Sequence, residues 1–185
     1  MDNKVMTRLT EAVSSGVPVR LHRSAIRDAD RLDGFVVGVG AAWTLIALCG
    51  DFRLDGWAAV RTADITKVGW RGGTDCLTVR ALRRRGQWPA RAPEPALTLD
   101  GLADLAQGAS RAFGMVSLHR EHDAPDACWI GEVAAVRPKS LRLREVDTEA
   151  RWCPELSKFP FEEVTRVGFG GRYERILQEF AGPFR

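Results

Sequence analysis

Asp64-Ile65-Thr66-Lys67-Val68-Gly69-Trp70 returns further along the chain as Glu163-Val164-Thr165-Arg166-Val167-Gly168-Phe169, with every position kept in chemical type. Each run is short and ends on a β-branched residue, a glycine and an aromatic, and it reads as a short strand. Working outward, Val19-Arg20-Leu21-His22-Arg23 returns as Val116-Ser117-Leu118-His119-Arg120, and Gly34 returns as Gly131. The offset is 97 for the early landmarks (21 to 118, 34 to 131) and 99 for the late ones (64 to 163), so the copies differ by two residues between them. Repetition at one fixed spacing sets the architecture before any other argument and predicts two similar units of about 90 residues each.

Each unit opens at helical spacing and then changes period. Val5, Met6, Leu9 and Val13 share a helix face behind an Asp2 cap, and Ser14-Ser15-Gly16 with Pro18 stop it. In the second unit Leu99, Leu102, Leu105, Ala106, Ala109 and Phe113 form the stripe, capped by Thr98 or Asp100; Gly101 and Gly108 leave packing to hold it. Alternation follows at Val17 to Leu21, Gly34 to Val39, Trp43 to Cys49 and Trp57 to Arg61. It is matched at Val116 to Leu118, Gly131 to Val136, Leu141 to Val146 and Leu156 to Phe161, and the quoted motifs add a fifth strand to each set. A helix followed by five short strands, twice, predicts a mainly β protein with short helices (α+β): two tandem five-stranded small barrels, each preceded by a helix. Gly34 and Gly131 mark places where a strand bends or another backbone comes close. The units span 1–82 and 98–185, with an Arg/Pro-rich linker at 83–97. Arg172 to Phe180 reads as a closing helix that packs Tyr173, Ile176, Leu177 and Phe180 back onto the second barrel.

A chain of 185 residues with 45% hydrophobic content can bury a real core. No apolar run approaches the ~20 residues that span a bilayer, and no basic-then-apolar leader opens the chain. The expectation is a soluble cytoplasmic protein with no membrane partner. Cys49, Cys76, Cys128 and Cys153 contain no C-x-x-C pair and read as reduced thiols. A net charge of +3 does not by itself call for a polyanion. The lysines are Lys4, Lys67, Lys139 and Lys158, so arginine supplies most of the 27 cations.

Chemistry-bearing residues are scattered. His22 and His119 alternate with apolar neighbours and so point away from the buried side; they read as solvated rather than metal-binding, and no metal or cofactor is expected. Asp28, Asp30, Asp33, Asp51, Asp55, Glu121, Asp123 and Asp126 fall in turns and read as solvated loop residues. Gly69, Gly72, Gly73 and Gly168, Gly170, Gly171 follow strands, but neither a P-loop nor G-x-G-x-x-G is completed, so they read as turns. Trp43, Trp57, Trp70, Trp129 and Trp152 lie in or beside strands and read as packing residues. That leaves Arg80, Arg83, Arg84, Arg85 and Arg91, with Trp88 among them, as the best nucleic-acid contact surface. Guanidinium groups hold phosphates, and an exposed indole stacks a base. The same stretch also reads as a solvated basic linker.

The helix-plus-five-strand order, the glycine opening the second strand and the short fifth strand resemble the Sm-like (LSm) group of SH3-like small barrels, over about residues 3 to 75 and 98 to 180. The "DITKVGW" and "VTRVGFGGRYE" closings also resemble a group of bacterial proteins that carry two such units. The resemblance implies the barrel. It does not imply uridine binding: the stretches 40–44 and 137–141 lack the Asn that reads uracil in the family, and 61–63 and 160–162 lack its Arg-Gly pair. The expected function is therefore a non-enzymatic binding or adaptor protein. Protein partners, self-association included, come first, through an exposed strand edge or the barrel surface, and RNA through the arginine stretch comes second. An immunity or antitoxin-like role is a third reading that no residue favours.

Overall fold

The computed structural model of the protein describes residues 3–29 and 31–184, so the expected Asp2 cap and Asp30 lie outside the described residues. The period changes seen in the sequence become helix α1 (Asn3–Ser15) and strands β1 (Val19–His22), β2 (Leu32–Val39), β3 (Trp43–Gly50), β4 (Arg53–Arg61) and β5 (Lys67–Trp70). Helix α2 (Leu77–Arg84) follows. The second half runs α3 (Leu102–Phe113), β6 (Val116–His119), β7 (Trp129–Arg137), β8 (Ser140–Val146), β9 (Trp152–Pro160), β10 (Arg166–Phe169) and α4 (Arg172–Ala181). The chain is thus mainly β with helices. Its strands form one ten-stranded sheet in the order β5-β1-β2-β3-β4-β10-β6-β7-β8-β9, not closed, with β5 and β9 at its ends. All the pairings are antiparallel. Both halves use the order fifth-first-second-third-fourth, and they join where β4 pairs with β10, Trp57 opposite Phe169 and Val60 opposite Arg166.

Both early glycines meet backbone. A Cβ on Gly34 would overlap the Ala47 carbonyl, and one on Gly131 the Arg144 carbonyl, so only glycine lets these strands approach so closely. Each half carries a register shift just beyond, at Val36/Gly38 and at Val133/Ala135, which bends the second strand.

Helix α1 buries Val5, Leu9 and Ala12, spaced four and three apart, on a core of Leu21, Val36, Ile46, Val60 and Val68. Ala12 takes the inner position that spacing assigned to Val13, which is 41% exposed. A larger core crosses the joint: Trp43, Leu45 and Ala59 pack with Leu105, Leu118, Leu141, Phe159 and Phe169. Helix α3 begins at Leu102 behind Gly101, and neither Thr98 nor Asp100 caps it. Asp100 Oδ1 instead accepts from Ala41 N at 3.2 Å, and the Leu99 carbonyl accepts from Trp43 N at 2.9 Å.

The stretch 83–97 is not a loose spacer. Arg83 and Arg84 end α2, whose Val79 and Leu82 are fully buried against Phe35. Trp88 and Ala90 pack on the same cluster, Pro93 is buried, and Leu97 reaches the shared core. Among the described residues, no helix is long and apolar enough to cross a membrane.

Candidate functional site

The repeated Thr66 and Thr165 do the same work in both halves. Thr66 N donates to the His22 carbonyl at 2.8 Å and Thr165 N to the His119 carbonyl at 2.9 Å, tying the fifth strand to the first. Their hydroxyls accept from Ser24 N and Glu121 N, both at 3.1 Å. Here the halves diverge. Where the first half has Ser24, exposed and 2.8 Å from the Thr66 hydroxyl, the second has Glu121 with a side chain 0% exposed.

Glu121 is ion-paired across the joint. Arg23, also 0% exposed at its side chain, places Nη2 2.7 Å from Glu121 Oε1 and Nη1 against Oε2. The Thr165 hydroxyl donates to Oε2 at 2.7 Å, and Arg166 Nε lies 3.5 Å from Oε1. Burial pushes the Glu121 carboxyl up, but the hydrogen bonds and charge of Arg23, with Arg166 and Thr165, hold it below the ordinary carboxylate range. Arg166 Nη2 donates to His119 Nδ1 at 2.9 Å. Burial first, and the Arg166 charge second, lower the His119 pKa to about 3. Glu121 and His119 are therefore not the solvated residues that loop position and alternation suggested. Alternation assigns a side of one strand, and here the other half of the chain covers that side. The one signal in the sequence was Ser24 becoming Glu121 beside a matched arginine.

A cleft of about 250 Å³ opens beside this cluster, lined by Asp55, Ser117, His119, Cys128, Arg166 and Tyr173. Two of its polar side chains are hydrogen-bonded, and Cys128 is an exposed free thiol. Ser117 Oγ donates to Glu174 Oε1 at 3.0 Å, His119 accepts from Arg166, and partial burial raises the Cys128 thiol.

The arginine stretch is divided. Arg80, Arg83 and Arg84 are exposed on α2 at spacings three and four, hence on one face, and Arg83 and Arg84 complement the negative end of the helix dipole. Arg85 Nη1 instead donates to the Phe52 carbonyl at 2.5 Å. Arg91 is exposed and lines a cleft of about 500 Å³ with Trp57, Gln87, Trp88 and Arg175. Trp88 is not an open stacking platform. Its ring is half-buried, the Arg83 guanidinium lies 4.4 Å from its centroid, and its indole nitrogen is buried without a partner among the described residues.

Helix α4 contradicts expectation most. Leu177 alone of its apolar residues is buried; Tyr173 and Ile176 are each 51% exposed and Phe180 75%. The reason is anchoring. Arg172 N donates to Asp55 Oδ1 at 2.7 Å, Trp152 Nε1 to the Gly182 carbonyl at 3.1 Å, and Ser117 holds Glu174. Gln178 lies over Gly114. These contacts turn polar Glu174 and Gln178 toward the body and leave the apolar row outside. Trp70, too, is 39% exposed rather than packed. Comparison with known proteins found no matching family model, no matching curated protein and no matching solved structure.

Proposed function

We propose that the chain is a non-enzymatic binding or adaptor protein, built from two Sm-like, SH3-like small-barrel units, whose contact surface is the outer face of α4 and whose partner is protein. The strand order fifth-first-second-third-fourth in each half, led each time by a helix, supports the two-unit reading. The observation that carries the function is the row Tyr173, Ile176, Phe180, displayed at half exposure or more on an anchored helix. Apolar side chains held in water on a fixed element mark interaction sites.

Tagged purification of the wild type and of Ile176→Ser/Phe180→Ser, with and without nuclease, tests this reading. A protein bound to the wild type, resistant to nuclease and lost from the variant, is the expected result; protein binding that the variant retains overturns it. The exposed face of Arg80, Arg83 and Arg84, none in an ion pair among the described residues, supports the second reading, RNA binding. That reading requires nuclease-sensitive material lost in Arg80→Ala/Arg83→Ala/Arg84→Ala, with affinity falling steeply as salt rises.

A further inference from the structure

We propose that the partner on α4 is a second copy of this chain, its α4 lying antiparallel on the first about a two-fold axis. The proposal rests on the reading of α4 as a contact surface and names the occupant. Four of the exposed large apolar side chains of the described residues, Tyr173, Ile176, Phe180 and Phe184, fall within twelve residues of sequence, and the spacing of the first three aligns them along one flank of the helix. The flank cannot turn inward without breaking the Asp55, Ser117 and Gly182 anchors.

Charge selects the occupant. The exposed cations Arg172 and Arg175 sit at the N-terminal end of α4 and Glu179 near its C-terminal end, where the last turn holds no basic residue. Glu174 in the first turn suits the helix dipole but is held against the body by Ser117; on the outer side the order opposes the dipole, which favours anions at the N-terminus and cations at the C-terminus. Arg172 and Glu179, seven residues apart, lie on the same side of the apolar row. In an antiparallel pair like flanks face each other, so Arg172 of each copy, whose Nε lies 3.5 Å from Asp55 Oδ2 while the side chain stays largely exposed, also meets Glu179 of the other, twice. In a parallel pair that charged flank faces the Leu177 side instead. The arrangement is self-complementary, as a two-fold interface requires.

Size sets the strength. At 150–250 Å² per aromatic side chain, the exposed row supplies on the order of 400 Å² per copy. A standard interface buries ≈ 800 Å² per partner. The dimer is therefore weak and concentration-dependent.

Sedimentation velocity from about 1 μM to about 1 mM protein, at low and high salt, tests the proposal. Expected is a monomer–dimer equilibrium weakened about tenfold or more by Phe180→Ser and by Glu179→Arg, the latter chiefly at low salt. The double variant Arg172→Glu/Glu179→Arg restores the dimer, because the exchanged pair is again opposite in charge. Both charge variants are first checked for an unchanged unfolding midpoint. A monomer throughout the range overturns the proposal. So does an association that Phe180→Ser leaves intact, or one abolished instead by Leu156→Lys on β9, which would mark pairing at the sheet ends. If the wild type stays monomeric while Ile176→Ser/Phe180→Ser releases a different protein in the purification, the contact surface stands and self-pairing falls.

Discussion

The joint between the halves and the two ends of the sheet are built from counterpart strands, yet only the joint is equipped to pair. At the joint, Trp57 of β4 stacks on Phe169 of β10 with centroids 6.0 Å apart, and Phe113 of α3 closes the group at 5.3 Å from Trp57. Gly56 has φ +71, and a Cβ there would strike Gly171 N and the Phe169 carbonyl, so a glycine is needed for the contact. Arg61 Nη2 donates across the joint to the Phe161 carbonyl at 2.7 Å, and Arg23 pairs with Glu121. At the free ends, the counterparts of Trp57 and Phe169 are Leu156 and Trp70, 37% and 39% exposed. Pro160 stands in the place of Arg61, Ser24 in that of Glu121, and Pro154, Glu155 and Lys158 line β9. Proline and charge on an edge strand discourage pairing with another chain. Two similar units thus acquire one specific contact because the buried charge and the close-approach glycine are present at one junction only.

Arg23→Ala tests this contrast most severely. It leaves the Glu121 carboxylate buried without its main partner, and the expected loss is about 3–5 kcal/mol of unfolding free energy in urea. Replacing both residues by Met costs much less, since no buried charge is then stranded. The aromatic contact comes next. Trp57→Ala is expected to cost about 2–4 kcal/mol, whereas Leu156→Ala at the free end stays under about 1 kcal/mol; equal costs would erase the distinction between joint and edge.

Acid provides a third test. The folded state holds His119 neutral with a pKa of about 3, against an ordinary value of 6.5. The unfolded chain therefore binds the extra proton first, and stability falls as pH drops through that window, at up to about 1.4 kcal/mol per pH unit. The Glu121 carboxyl, held low, contributes stability above the ordinary carboxylate range that is lost on further acidification. His119→Gln flattens the upper part of the urea midpoint-against-pH curve, and His22→Gln, at a residue whose pKa burial and Lys67 also lower but by less, flattens it to a smaller extent. The smallest expected difference lies between Thr165→Val and Thr66→Val. The former strands a hydrogen bond to buried Glu121 and costs about 1 kcal/mol more than the latter, whose hydroxyl partner Ser24 is exposed.

Much of the fold was legible because its signals are local. The change from period 3.6 to period 2 at Ser14 to Val17, the closing motifs and the paired glycines each depend on neighbours a few residues away, and they marked α1 and the strands of both halves. Helix α2 was missed because its apolar residues Leu77, Val79 and Leu82 are few, enclose Arg80 and run straight into Arg83-Arg84-Arg85, where the linker reading begins, and the Phe35 surface that covers Val79 and Leu82 is not visible in the sequence. The candidate site was less legible still. Sequence alone determined which residues repeat and where the chain turns, since backbone preference and side-chain alternation are fixed residue by residue. Only the tertiary structure decided that β4 pairs with β10, that Glu121 is enclosed with His119 half-buried beside it, and that α4 turns its apolar row outward. Each of these depends on which distant surface arrives to cover a side chain, and burial is a property of that pair of surfaces rather than of either segment.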